Sequence, residues 1–79
     1  MRSVLAIIEE ATDCNLNGID YELITPDNIS KWDSLVHINL IMLIEEEFDI
    51  EVIPDEMNEM FKGYNNIVNV LNKKGVILE

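Results

Sequence analysis

The sequence contains a single cysteine, Cys14, so no disulfide can form within the chain. Proteins of the reducing cytoplasm keep their thiols free, and this cysteine usage favours a cytoplasmic protein. Cys14 itself lies on a helical pattern, where a lone thiol is more often a small core side chain than a reactive group. We therefore predict a structural position for Cys14.

Long apolar runs are also missing. The apolar stretch at residues 4–8 is followed at once by Glu9 and Glu10, and it is too short for a signal peptide or a membrane span. We therefore expect no membrane insertion and a chain that begins at its own Met1.

Basic residues are scarce: five Lys and Arg stand against sixteen Asp and Glu, for a net charge of −11. Residues 33–60 hold nine of the acidic residues and no basic one, whereas the rest of the chain holds seven acidic and five basic residues. Such a charge repels nucleic acid and anionic membranes, and it favours partners with basic surfaces.

Glycine and proline are few, with three and two copies, and 48% of the residues are hydrophobic. Hydrophobic spacing predicts helices over about residues 3–14, 34–48, 54–61 and 64–73, with Gly63 and Gly75 ending the last two. The predicted fold class is all-α, a four-helix bundle with a long first loop and a short third helix. At this length we expect one domain, residues 1–79, acting as a monomer.

The long loop at residues 19–33 needs anchors, because long irregular segments are unusual in compact domains. We predict that four apolar side chains pin it to the core: Leu23, Ile24, Ile29 and Trp32. We also predict that the last apolar residues, Val76, Ile77 and Leu78, pack back onto the helices.

The second predicted helix is apolar around more than half of its circumference. One stripe at helical spacing comprises His37, Leu40, Ile41, Ile44 and Phe48. The opposite side presents Leu35, Asn39, Met42 and Glu46. We expect the excess of apolar surface to serve both burial between helices and contact with a partner.

The tetrapeptide Trp32-Asp33-Ser34-Leu35 opens this helix. Asp and Ser are preferred helix caps, because their oxygens accept hydrogen bonds from the free N–H groups of the first turn. A serine in this position is also exposed and lies near the positive end of the helix dipole, where a phosphate is stabilised. The tripeptide alone is compatible with either role.

A wider pattern separates the two roles. Asp33-Ser34-Leu35 is followed by an apolar helix that ends in Glu45-Glu46-Glu47-Phe48, and then by Ile53-Pro54-Asp55-Glu56. In this order and spacing the chain resembles the acyl carrier proteins over essentially its whole length. The resemblance implies that Ser34 carries 4′-phosphopantetheine from coenzyme A, with Asp33 and Leu35 as motif neighbours. The thiol of that group would hold acyl or aminoacyl intermediates as thioesters, so the protein would be a carrier and not an enzyme.

By the same resemblance, the second helix would recognise partner enzymes through Val36, Asn39, Met42, Glu45 and Glu46. The implied partners are a phosphopantetheinyl transferase, an acyl- or aminoacyl-loading ligase, and downstream acyl-processing enzymes with basic docking surfaces.

Three features differ from the common family pattern. Lys31-Trp32 stand where many members have a small residue, residues 51–54 are one residue longer, and His37 replaces another polar residue. They fit a specialised stand-alone carrier at least as well as a fatty-acid carrier. Fatty-acid, polyketide and other specialised pathways all remain open.

Three rival interpretations exist: a serine hydrolase, a calcium-binding protein and an unmodified interaction module. Ser34 and His37 are three residues apart on a helix, a spacing that brings two side chains of a hydrolase pair close together, but no acid partner or oxyanion-hole motif accompanies them. The acidic run contains no calcium-binding loop pattern, so we expect no metal site. The main alternative is an unmodified acidic helical interaction module that binds a basic partner protein.

Overall fold

The structure, a computed structural model, describes residues 2–78 and is helical in all of its regular elements. Four α-helices follow one another: α1, Val4–Thr12; α2, Ser34–Phe48; α3, Pro54–Met60; and α4, Tyr64–Lys73. A short 3₁₀ turn, Tyr21–Leu23, interrupts the long loop between α1 and α2. The predicted all-α class is confirmed. No helix in the described part of the chain is both long and apolar enough to cross a membrane.

Helix α1 begins one residue later than predicted and ends two residues earlier. Its N-cap is Ser3, whose Oγ accepts a hydrogen bond from the Ala6 N–H at 3.1 Å. The helix ends at Thr12 and not at Cys14, because Asp13 adopts a left-handed conformation with φ of 55°. Asp tolerates this conformation better than most residues do. Cys14 therefore lies just beyond the helix, half-buried against the core, in keeping with its predicted structural position.

The core lies between α1, α2 and α4, and residues of the long loop and of α3 close it. The stripe predicted on α2 is buried from His37 to Ile44, and Phe48 is half-buried. In α4 the predicted inward residues, Ile67, Val70 and Leu71, are all buried.

The long loop is anchored by three of the four predicted side chains. Ile24, Ile29 and Trp32 are buried, whereas Leu23 is 53% exposed, so its predicted burial was wrong. The 3₁₀ turn explains the difference: the Ile24 N–H donates to the Tyr21 carbonyl at 3.1 Å, and this turn directs Ile24 inward while its own three residues stay exposed.

The long loop is in close contact with the start of α4. The Tyr64 N–H donates to the Ile24 carbonyl at 2.9 Å, and the rings of Tyr21 and Tyr64 stack with centroids 4.2 Å apart. Gly63 makes this approach possible, with φ of 140°. A side chain there would lie 2.8 Å from the Thr25 methyl carbon and 2.9 Å from the Ile24 oxygen.

The carboxyl-terminal tail packs back in part. Val76 and Leu78 are half-buried against the core, and the Val76 N–H donates to the Leu71 carbonyl at 3.0 Å. Ile77 is 81% exposed, so the prediction was wrong for this residue. Its two neighbours are the residues that pack inward, and Ile77 between them points to solvent.

Candidate functional site

Ser34 is the first residue of α2 and its side chain is exposed. The cap of the helix is Asp33, whose Oδ1 accepts a hydrogen bond from the Val36 N–H at 2.9 Å. The Asp33 carbonyl accepts a second one from the His37 N–H, also at 2.9 Å. Since Asp33 does the capping, the Ser34 hydroxyl is left free at the surface for other chemistry.

The start of α2 suits an anion bonded to the Ser34 oxygen. The N–H groups of the first turn lack partners inside the helix, and the Asp33 side chain takes up only that of Val36. The helix has 15 residues and no acidic side chain in its first turn, so its dipole adds a positive potential at this end. The residues present therefore fit a phosphate ester on Ser34.

Trp32 fixes the chain just before Ser34. Its side chain is 2% exposed, and its backbone N–H donates to the Ile29 carbonyl at 2.9 Å. The indole Nε1–H donates to Nδ1 of His37 at 3.1 Å. The bulky residue that stands in place of a small one is thus a buried anchor of the loop.

His37 is buried, with both ring nitrogens engaged. Nδ1 accepts from Trp32, Nε2 lies 2.9 Å from the Met57 carbonyl, and the ring stacks on Phe61 at 4.5 Å. An indole N–H can only donate, so Nδ1 is unprotonated and Nε2–H is the donor to Met57. Burial lowers the pKa of His37, an effect that the bond to Met57 partly offsets.

This arrangement contradicts the hydrolase alternative. A general base needs a free ring nitrogen within reach of the serine hydroxyl. In His37 one nitrogen is taken by Trp32 and the other carries a proton toward Met57. Within residues 2–78, no hydrogen bond joins His37 to the Ser34 hydroxyl.

The exposed side of α2 carries large apolar side chains beside Ser34. Leu35 is 76% exposed, Met42 59% and Ile38 48%, and Ile53 in the following loop is 52% exposed. Ile38 and Ile53 were not among the predicted recognition residues. The helical spacing contains the signal for Ile38, because it lies three residues after Leu35 and four before Met42.

The predicted recognition residues fall into two groups. Asn39, Met42 and Glu46 are exposed on one side of α2, whereas Val36 and Glu45 are half-buried on its flanks. Glu45 has a structural contact, since its Oε2 accepts a hydrogen bond from the Val52 N–H at 2.9 Å. Glu45 thereby ties the loop after α2 to the helix.

The acidic residues after Ser34 are only partly neutralised. Three form ion pairs: Glu47 with Arg2, Glu56 with Lys74, and Glu59 with Lys62. Hydrogen bonds from these partners lower the pKa of each carboxyl group. Four exposed ones have no ion pair within residues 2–78: Glu46, Asp49, Glu51 and Asp55. No metal-ligating cluster of His, Cys, Asp and Glu occurs in the described part of the chain. A carboxylate-rich surface therefore adjoins the exposed apolar side of α2.

Curated relatives share the name of one family. The chain is 41% identical to the acyl carrier protein of Syntrophobacter fumaroxidans over 64 residues, which cover 75% of this chain and 76% of the relative. It is 49% identical over 43 residues to that of Bdellovibrio bacteriovorus, covering 54% of each. It is 45% identical over 42 residues to that of Thermosynechococcus vestitus, covering 53% of this chain and 51% of the relative.

The latter two matches thus span about half the length of those relatives. No family model matches the chain. No solved structure matches it either. The all-helical fold and the match over three quarters of both chains lead to one conclusion: the protein belongs to the acyl carrier protein family, whose members are carriers and not catalysts.

Proposed function

We propose that the chain carries 4′-phosphopantetheine on Ser34 and shuttles acyl or aminoacyl intermediates between biosynthetic enzymes. The observation that carries this proposal is the exposed Ser34 hydroxyl at the first position of a 15-residue helix that Asp33 caps. When bound, the group supplies a thiol that holds the cargo as a thioester. The protein presents that thiol and is recognised by the enzymes that use it.

The attachment is a phosphoryl-type transfer from coenzyme A. The Ser34 oxygen forms a new bond to the phosphorus of the phosphopantetheine half, and the pyrophosphate P–O bond breaks. Adenosine 3′,5′-bisphosphate leaves with the electron pair of that bond, and the transferase takes the serine proton. The chain itself contributes the exposed nucleophile and the positive end of α2, which stabilises the phosphodiester charge.

The exposed side of α2 is our proposed docking surface for the transferase, the loading ligase and the downstream enzymes. It combines the apolar Met42 with Asn39 and the carboxylate of Glu46, while Val36 and Glu45 border it. Exposed ion pairs contribute only about 0–1 kcal/mol each, which suits a carrier that must dock and leave repeatedly. Complementary charge chiefly raises the association rate.

We propose that residues 1–79 work as one carrier domain in the cytoplasm, where a carrier thiol stays reduced. The pathway is one of those open to the family, in fatty-acid, polyketide or other specialised synthesis. The extended acidic surface and the Trp32–His37 pair support a specialised carrier at least as well as a general fatty-acid carrier.

Intact-mass measurement tests the attachment. The purified protein is incubated with coenzyme A and a phosphopantetheinyl transferase of broad specificity. We expect the wild-type chain to gain the mass of one phosphopantetheinyl group and Ser34→Ala to gain none. Ser30→Ala is the matched control, because Ser30 is also exposed in the same region and should not be required.

Two outcomes would contradict the proposal. One is the absence of any gain in the wild-type protein, which would favour the unmodified interaction module. The other is an equal gain in Ser34→Ala, which would move the attachment to another residue.

A further inference from the structure

Three segments of the chain meet at one buried imidazole. Trp32 at the end of the long loop donates to His37 of α2 at 3.1 Å, and His37 reaches the Met57 carbonyl of α3 at 2.9 Å. The Phe61 ring, just after α3, covers the imidazole at 4.5 Å. Since Trp32 is 2% exposed and His37 is 3% exposed, these bonds are shielded from water.

The same bonds enclose Ser34 within residues 32–37, which we call the Ser34 turn. Trp32 lies two residues before Ser34 and His37 three residues after it, so their side-chain bond spans the serine. Two further bonds, from the Val36 and His37 N–H groups to Asp33, close the turn from inside. The shape in which Ser34 is presented therefore depends on the His37 ring.

We propose that His37 is a positioning residue for group transfer onto Ser34: its neutral imidazole, bonded to Trp32 and Met57, holds the Ser34 turn in the shape that a transferase requires. This inference rests on the proposed modification of Ser34. It assigns His37 a role that does not involve contact with the reacting atoms.

Only one protonation state of the imidazole satisfies its two hydrogen bonds, to Trp32 and to Met57, which we call the His37 network. The Trp32 indole must donate and the Met57 carbonyl must accept, so Nδ1 carries no proton and Nε2 carries one. Protonation of Nδ1 would set two N–H groups against each other at 3.1 Å and would leave the indole donor buried without a partner. The ring would then have to leave Trp32, and the Ser34 turn would lose its outer bond.

Charged neighbours do not supply an alternative partner. Burial is the main cause that lowers the pKa of His37, and no charged side chain contributes to the shift. The charged side chains in the loop, in α2 and in α3 have other partners or are exposed. In the loop and at the start of α2, Lys31 donates to the Asp13 carbonyl and Asp33 accepts from Val36. In α3, Glu56 pairs with Lys74, Glu59 pairs with Lys62, and Asp55 is exposed. Protonation of His37 should thus open the network instead of rearranging it.

Proton linkage determines whether stability rises or falls with pH. Because the folded chain binds the His37 proton more weakly than the unfolded chain does, the network contributes stability that is present above the ordinary pKa of 6.5. That contribution is lost as the pH falls from there through the lowered pKa. The paired carboxylates, whose pKa values are lowered from an ordinary value of 4.5, add their own pH dependence, which His37→Gln retains and which the comparison with wild type therefore cancels.

Two spectroscopic signals read the network without any enzyme, because the chain has one histidine and one tryptophan. Proton NMR gives the titration midpoint of His37 in the folded protein, and tryptophan emission follows Trp32 over the same pH series. We expect the emission change to share the NMR midpoint and to be absent in His37→Gln. Gln keeps one acceptor and one donor but does not titrate.

Competitive modification tests positioning. Wild-type and His37→Gln proteins, distinguished by mass, share one reaction with coenzyme A and a transferase at each pH. Their rate ratio cancels the pH dependence of the enzyme. At the measured midpoint half of the imidazole is protonated, so we expect the wild-type rate relative to His37→Gln to fall to about half of its value at neutral pH. Circular dichroism confirms that both proteins remain helical at each pH.

The outcomes are separable. A rate ratio that stays flat through the NMR midpoint overturns the positioning role, even if both proteins are modified. An emission change that persists in His37→Gln overturns the Trp32–His37 link. If neither protein is modified at any pH, the proposed function fails, and so does the positioning role that rests on it. In that case the NMR and emission measurements still report on the hydrogen bonds of His37.

Discussion

Replacing Gly63 with alanine should destabilise the protein strongly, because this glycine lets the long loop touch α4. Its φ of 140° and ψ of −176° lie in a region that is almost exclusive to glycine, so strain costs about 1–3 kcal/mol. The new Cβ would lie 2.9 Å from the Ile24 oxygen, which is backbone and cannot swing away. Relief would lengthen the bond from the Tyr64 N–H to Ile24, at about 1 kcal/mol more.

The expected loss for Gly63→Ala is therefore about 3 kcal/mol, out of a total stability of about 4–12 kcal/mol for a chain of this length. Urea unfolding followed by circular dichroism measures it. With a slope of about 1–1.5 kcal/mol per molar urea for a small domain, the midpoint should fall by about 2–3 M. Emission of Trp32 serves as a second probe of the same transition.

Gly75→Ala is the matched control. Gly75 also has a positive φ, of 86°, but nothing lies within 4 Å of the position a Cβ would take. The free energy of unfolding of Gly75→Ala should fall by only about 1 kcal/mol, from backbone strain alone. If the two variants lose the same stability, the close approach of Gly63 to the loop does not have the energetic weight assigned here.

Two further predictions concern the acidic side of α2. Glu46→Lys should slow modification of Ser34 at low salt more than Glu22→Lys does. Both residues are exposed and both substitutions change the net charge equally, so equal modification rates would count against the docking surface. Glu45→Ala should lower the free energy of unfolding in urea by about 1–2 kcal/mol, because the Val52 N–H loses its carboxylate acceptor. Glu46→Ala should change it by no more than about 0.5 kcal/mol. Similar losses in the two variants would refute the structural role of Glu45.

The sequence predicted the helices well, because strong periodicity and clear end signals determine them. Helices α2 and α4 have the predicted bounds, and α3 begins at Pro54 as predicted. The end of α1 was displaced because Asp13 already takes the left-handed conformation, one residue before the predicted end at Cys14. Single-residue choices of this kind depend on local energies that a pattern of hydrophobic spacing does not contain.

The candidate site was predictable only in part. The position of Ser34 follows from the capping motif, and the structure has it exposed at the start of α2. The bond between Trp32 and His37 was not predictable, because it joins two elements whose relative placement is set by tertiary packing. The same holds for Glu45, whose partner Val52 lies in a loop. Hydrophobic periodicity gives the face of a residue but not its hydrogen-bond partner.

The central claim is that Ser34 is the attachment residue, and fragment-ion mass spectrometry of the modified protein tests it most directly. The chain offers three serines, Ser3, Ser30 and Ser34, so the fragments must separate them. We predict that the phosphopantetheinyl group is found on fragments containing Ser34 and on none that contain only the other two. Localisation to Ser3 or Ser30, or a protein that remains unmodified under conditions that modify a known carrier, would contradict the account.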